Sequence, residues 1–350
     1  MNHISKALLT FFLVSWGSVV AQEKAVEPKG KISGHMFGDV FYNVRQNDKS
    51  KQDLNGVQFR RVYFTYDHSI SEAFDSRFRL EADQSANTSN GKIGVFVKDA
   101  YLKWKNVLPG SDFFFGISPT PAFEVSEDHW GYRSLEKTIL DLRGIVSARD
   151  LGVDLKGRID PNSVVRYWVK LGDNSGNTPE TDKYKRYYGQ LHFKINSRIQ
   201  ATAYGDLDSR PKTTDSFDGR TKNNNRFVTA GFISVREESK YSVGVEGFYR
   251  VIQNNFRSAP GLSLVDQKTF GVTGFVWVAV NDLVRLVGRY DFYDPNSDVD
   301  TDGNLLFIGA IDYMPSKNVH VMPNIEVQTY QASNTTNDIV GRVTFYYIFK

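Results

Sequence analysis

The stretch that decides the fold is Asp75 to Gln84, D-S-R-F-R-L-E-A-D-Q. Asp75, Arg77, Arg79, Glu81 and Asp83 put a charge at every odd position, while Phe78, Leu80 and Ala82 are apolar. Alternation with a period of two marks a β-strand with unlike faces. In a soluble sheet the apolar face covers a core. In a membrane barrel it touches lipid, and the charges face water in the middle of the molecule.

The pattern recurs. Leu151, Val153, Leu155 and Ile159 alternate with Asp150, Asp154, Lys156 and Arg158. Val165 to Leu171, Tyr187 to Ile195, Val284 to Phe292 and Val343 to Phe349 repeat it, whereas Phe59–Tyr66 and Phe270–Val280 are apolar or aromatic on both faces. The connections carry more information than the strands. Those at 70–74, 107–111, 160–162, 196–197, 237–239, 281–282 and 315–317 are tight. Those at 46–55, 85–91, 118–148, 173–182, 208–224, 253–266, 295–302 and 331–337 are longer and rich in Asn, Asp, Ser and Gly. Long and short alternate strictly. This predicts about 16 antiparallel strands closed into a transmembrane β-barrel, with short periplasmic turns at one end and long external loops at the other. A slip of one residue in the opening strand would place Arg77 and Arg79 in lipid, at roughly 2–4 kcal/mol each near the midplane.

The N-terminus reads as an export signal. Lys6 precedes a mostly apolar run from Ala7 to Val20, and Val19-Val20-Ala21 supplies small residues at a cleavage position. The expected organisation is a signal peptide at 1–21, a charged periplasmic lead-in at 22–30 and a barrel at 31–350. An N-terminal anchor is the other reading of the run, which is short for the ~20 residues a spanning helix needs. An exported chain without a spanning helix crosses lipid only as a closed barrel, because hydrocarbon offers backbone amides no partners. The bacterial outer membrane is the expected location.

Composition removes several functions. The net charge of +3 is spread in mixed sign along the chain, which gives no field for nucleic acid. With no cysteine there is no disulfide, thiol chemistry or cysteinyl metal site. Aromatic residues make up 14% of the chain, nearly all Tyr and Phe, which favours strands. His35, His68, His129, His192 and His320 show no ligand spacing, and no serine-nucleophile motif or phosphate-cradling glycine loop is present. The expectation is therefore no enzyme and no cofactor. A barrel hydrolase, with His, acid and Ser brought together at the rim, and an exported soluble β-sheet binding protein are the readings from other classes.

Several segments resemble the phosphate-selective porin O and P family. They are F-R-R-V-Y-F-T-Y (59–66), V-K-D-A-Y-L-K-W (97–104), F-G-I-S-P-T-P-A-F-E (115–124), R-S-L-E-K-T-I-L-D-L-R (133–143), A-R-D-L-G-V-D-L-K-G (148–157) and L-V-G-R-Y-D-F-Y-D-P-N (286–296). They occur in the family's order. The resemblance implies a homotrimeric, sixteen-stranded porin in contact with outer-membrane lipid and lipopolysaccharide. Its cargo would be small hydrophilic solutes or anions, and a phosphate or polyphosphate channel is the narrower reading.

The third long connection is the longest and carries Phe123, Trp130, Leu135, Ile139, Leu140 and Ile145. A loop free in water needs no such anchors, so folding into the lumen is expected, against an external lid or trimer contact. Arg133, Glu136, Lys137, Asp141 and Arg143 are then constriction candidates. Arg77, Arg79, Glu81, Asp83, Asp99 and Lys103 line the wall, either as one side of the eyelet or as a ladder that compensates its own charge. Residues 118–150 hold six acids against four bases. That balance predicts a transverse field and a general or weakly selective pore. Asp298, Asp300, Asp302 and Gly303 match the first half of a calcium loop, but Gly309 stands where the bidentate glutamate belongs. Weak calcium binding in an external loop and a solvated turn are both open.

Overall fold

The computed structural model describes residues 29–83 and 91–350. The expected leader (1–21), residues 22–28 of the lead-in and most of the second long connection lie outside the described residues. Sixteen strands form one closed barrel: β1 (Lys29–Arg45), β2 (Asn55–Ser69), β3 (Phe74–Asp83), β4 (Gly94–Leu108), β5 (Ser111–Pro119), β6 (Arg149–Arg158), β7 (Val165–Gly172), β8 (Arg186–Lys194), β9 (Ile199–Asp208), β10 (Arg226–Glu237), β11 (Tyr241–Phe256), β12 (Val265–Asn281), β13 (Val284–Asp294), β14 (Asn304–Ser316), β15 (Val319–Tyr330) and β16 (Asp338–Phe349). Each pairs antiparallel with its sequence neighbours, and β16 closes on β1 with Phe349 opposite Gly34 and Val343 opposite Val40. A closed ring has no free edge, and the one further sheet among the described residues is a two-residue pairing of 213–214 with 221–222 in an external loop, so the chain is not a two-sheet sandwich.

Long and short connections alternate as the sequence predicts. Most boundaries differ by one to three residues, and two of the differences bear on the strands' extent. β1 begins at Lys29 rather than Lys31. β11 runs on to Phe256, which pairs with Val265, so the sixth long connection is only 257–264. Among the described residues no helix is long and apolar enough to cross a membrane.

The faces are assigned by burial. Phe78 is 43% exposed on the outside, whereas Glu81 is 1% exposed inside, between Arg61 and Lys98. The outer surface carries exposed Val, Leu, Ile and Phe along most strands. Exposed Tyr42, Tyr187 and Tyr249 lie toward the long-loop end, and Tyr66, Trp104, Tyr313 and Tyr347 toward the short-turn end. An apolar band between two aromatic girdles is the surface a bilayer requires.

Register shifts interrupt several ladders, and those in β2 and β4 each turn an extra base inward. In β2 the register shifts so that Phe37 faces Arg61 but Gly38 faces Phe59, leaving Arg60 as the additional residue. Glycine is needed there, because a Cβ on Gly38 would stand 2.3 Å from the Gln58 carbonyl oxygen. In β4, Arg79 faces Asp99 but Leu80 faces Val97, and Lys98 is the additional residue.

The external loops are tied to each other. Asp215, in the fifth long connection, accepts from Lys222 Nζ (2.7 Å), Arg257 Nη2 (2.6 Å) and the amides of Leu264 (2.7 Å) and Phe217 (3.0 Å), which clasps the fifth loop to the sixth. The Lys222 ammonium, with the two amides and Arg257 behind it, holds the Asp215 carboxyl well below the usual range. A depressed carboxyl stabilises above its unfolded value of ~3.9 and loses that stabilisation only as pH falls through the lower folded value. Proteolytic protection of residues 213–264 is therefore expected to persist down to about pH 4. In Asp215→Asn it should be lost at every pH. Equal protection in the variant would show that the clasp does not hold these loops.

Candidate functional site

The third long connection (120–148) lies inside the barrel and supplies its core. It forms α1 (Glu124–Trp130), ended by Gly131 in the left-handed conformation (φ 71°), and the single turn α2 (Ile139–Leu142). Both helical pieces lie within the loop. Trp130, Tyr132 and Leu135 pack on Phe232, Phe275, Trp277, Val287, Leu306 and Met322 of the inner wall. Phe123, Ile139, Leu140 and Ile145 pack on Tyr188, Tyr204, Val228 and Phe248. The wall from β8 to β15 thus carries a band of apolar side chains on its inner face, where the loop rests, among buried polar ones such as Glu246, Arg289 and Asp312.

Polar contacts fix the loop around its length. Ser126 Oγ donates to Glu246 Oε1 at 2.6 Å, His129 Nδ1 pairs with Ser234 Oγ at 2.7 Å, and Tyr132 donates to Asp312 at 3.0 Å. From the opposite wall, the bulged Arg60 donates to the Leu135 carbonyl (2.5 Å) and to Glu136 (3.2 Å). Arg289 holds the Lys137 carbonyl. Thr120 Oγ1 donates to the Ser147 carbonyl at 2.6 Å and closes the root.

The loop leaves a space between itself and the basic side chains of β2, β4, β6, β8 and β10. A cavity of about 500 Å³ is lined by Arg61 of β2, Lys98 of β4, Arg149 of β6, Arg186 of β8 and Arg226 of β10. Arg133, Lys137 and Asp141 of the loop complete its charged lining. Seven bases and one acid face this space. Their carboxylate partners stand behind them. Glu81 serves Arg61 and Lys98, Asp99 serves Arg79 and Arg149, Asp206 holds Arg186, and Asp208 holds Arg226. Within the loop, Arg133 is bound by Glu127 and by Asp141 (2.7 Å). Burial alone would raise the Asp141 carboxyl, but Arg133 and Lys137 outweigh it and hold the group below its ordinary value. Lys137 makes no ion pair among those described, so its ammonium is the least committed charge in the lining.

The loop's composition therefore misstates what the passage meets. Of the six acids in 118–150, only Asp141 lines the cavity. Glu127 is turned to Arg133, Asp128 to Arg236 (2.8 Å), Glu136 to Arg60, Glu124 toward Lys156 (3.8 Å) and Asp150 to the Tyr188 hydroxyl (2.8 Å).

The structure spreads the sequence candidates over several places. Arg133, Lys137 and Asp141 line the cavity, Arg79, Glu81 and Asp99 stand directly behind it, and Glu136 anchors the loop. Asp83 lies 3.8 Å from Arg61. Arg77 and Lys103 are nearer the short-turn end, paired with Asp67 (2.6 Å) and Asp112 (2.8 Å). Arg143 is outside that lining, over the Tyr293 ring at 4.9 Å. Lys98, Arg186 and Arg226 were not candidates. Their signal was alternation in β8 and β10 and, for Lys98, a bulge that alternation hides.

Asp298, Asp300 and Asp302 do not converge. Asp298 faces Lys268 at 3.9 Å, Asp300 is exposed, and Asp302 lies against Asp294. Among the described residues no group of three or more His, Asp or Glu is placed to hold a metal. The spacing fails because the Gly303 amide donates to Gln331 Oε1 (3.1 Å) and the chain enters β14 at Asn304, before a cage could close.

No protein-family model and no curated protein sequence matches the chain, so membership of the phosphate-selective family is not shown. Solved structures do match. The outer membrane channel DcaP of Acinetobacter baumannii has a TM-score of 0.68 at 12% identity, covering 93% of this chain and 99% of that one. The anion-selective porin from Comamonas acidovorans has 0.65 at 11%, covering 92% and 100%. The outer-membrane expressed OmpT of Vibrio cholerae has 0.62 at 13%, covering 93% and 99%. At these identities the likeness is one of fold: the chain has the porin type of barrel.

Proposed function

We propose that the protein is an outer-membrane channel through which small hydrophilic solutes diffuse passively, with a preference for anions. The observation that carries this is the seven-to-one excess of bases over acids around the cavity beside the third loop. Fixed basic groups in a narrow, low-dielectric passage raise the local concentration of anions and lower that of cations. The tethered carboxylates behind them keep the charge balance compatible with folding. No bound cofactor is required, because the wall itself supplies the selectivity. A porin fold with an apolar belt suits a homotrimer in lipid and lipopolysaccharide, and a trimer form has been solved for OmpT of Vibrio cholerae, which has the same fold.

The test is the reversal potential of the purified protein in a planar bilayer under a potassium chloride gradient. Wild type should show the anion-preferring sign. Lys98→Gln with Lys137→Glu should lower the chloride-to-potassium permeability ratio severalfold, because charges within one Debye length of a permeating ion act on it with little screening. Cation preference in the wild type would overturn the reading. Conductance that saturates with phosphate but not with chloride would extend it to a phosphate channel.

A further inference from the structure

One buried charge under the loop takes no part in the passage. Glu246, in the middle of β11, is 2% exposed and lies beneath α1. Among the described residues its Oε1 accepts from Ser126 Oγ alone, and its Oε2 has no hydrogen-bond partner. Across the ladder it faces Phe232 of β10 and Thr273 of β12, and the Thr273 hydroxyl is donated to Asp291. The charged groups that act on it are Arg289 and Asp291 of β13 and Glu127 of α1. Arg289 is already committed. Its Nε and Nη2 hold Asp291 at 2.8 and 2.6 Å, and its Nη1 holds the Lys137 carbonyl. Glu127 is bound to Arg133. An ionised Glu246 would leave two buried wall carboxylates to one guanidinium.

A dehydrated, unpaired carboxylate is unfavourable enough that it takes up a proton or its surroundings move. The wall strands are fixed by ladder hydrogen bonds on both sides. The seven residues of α1 have no ladder: at Ser126 one hydroxyl ties the helix to Glu246, while its last turn is held by His129 to Ser234 and Ser242 and by Asp128 to Arg236, so the first turn is the part free to lift. The other charged or titratable side chains of α1 do not compete. Glu124 and Asp128 point to Lys156 and Arg236. His129 is pushed down to about 4 by burial and by Arg236, so it stays neutral from pH 5 to 9.

We propose that Glu246 is a proton-operated clamp on the constriction: as the neutral acid it lets α1 lie against the wall, and on losing its proton it releases α1 toward the passage. The clamp regulates the proposed channel and rests on that reading for its electrical signature. The pore should be quiet at low pH and close intermittently as pH rises. A device run by one proton changes its docked-to-released ratio by up to about tenfold per pH unit.

Two measurements test it. In bilayer recordings from pH 5 to 9, wild type should show a rising closure frequency, and Glu246→Gln should stay quiet throughout. Hydrogen exchange of the 124–130 amides in the wild-type protein, corrected for the intrinsic rate, should accelerate over the same interval. Exchange that follows the intrinsic rate alone, or a Glu246→Gln variant that keeps the wild-type pH profile, overturns the clamp. Absence of any current at every pH would instead remove the channel reading, and the exchange result would decide the clamp by itself.

Discussion

Deletion of Tyr132–Asp141 should raise the open-channel conductance by about twofold or more and sharply reduce anion preference, because the loop occupies lumen that solvent would otherwise fill. The deleted segment carries Arg133, Lys137 and Asp141 of the lining and Leu135, Ile139 and Leu140 of the core. The barrel itself should survive, since its strands pair independently of the loop. The cost falls on the inner wall. Phe232, Phe275, Trp277, Leu306 and Ile308 would face water, and each buried side chain of that size contributes about 1.5–3 kcal/mol. The variant should therefore conduct better and unfold at lower urea. Unchanged conductance in a folded barrel would take the loop out of the constriction. A lower conductance would show that the remaining stubs collapse into the passage.

The barrel was legible because its rule is local. Asp75–Asp83 states in nine residues which face meets lipid, and the alternation of loop lengths states how many strands share that face. The inner architecture is legible only where it also alternates. Phe59–Tyr66 looks two-faced because Arg60 is a bulge, and no period-two reading anticipates an inserted residue. Phe270–Val280 looks two-faced for another reason. Phe275 and Trp277 point into the lumen to receive the loop, so an apolar inner face was the sign of a docked segment. Charge was the least legible property. Counting acids and bases along 118–150 gives a mixed field, yet the fold turns five of the six acids away from the cavity and brings bases from β2, β4, β6, β8 and β10 to face it. Selectivity is set by side chains distant in sequence, whose direction depends on partners such as Glu81 and Asp99. The aspartates at 298–302 fail in the opposite way: the spacing is present and the chain does not wrap.

Lys170→Met should cost about 3–5 kcal/mol, the loss typical when one member of a buried ion pair is removed and the other is left uncompensated. Lys170 of β7 and Asp154 of β6 are paired at 3.0 Å with both side chains fully enclosed. Lys170 Nζ also donates to Ser118 Oγ (2.6 Å), which in turn donates to Asp154 (2.6 Å), and Trp168 Nε1 donates to the other carboxylate oxygen (2.6 Å). With the ammonium gone, Asp154 keeps two hydrogen bonds but loses its contact ion pair, and only the more distant Lys156 remains as counter-charge. Ser118 lies at the root of the third loop, so the damage should reach the constriction as broadened current levels as well as a lower urea midpoint. Combining Lys170→Met with Asp154→Leu should recover most of the stability, because a well-packed apolar pair of similar volume often equals a buried ion pair. A single variant that loses less than about 1 kcal/mol would mean that water reaches the pair, since that is the range of exposed pairs. A double variant as unstable as the single would mean that Ser118 and Trp168 depend on the carboxylate itself, and that the network, more than the charge balance, sets the loop's root.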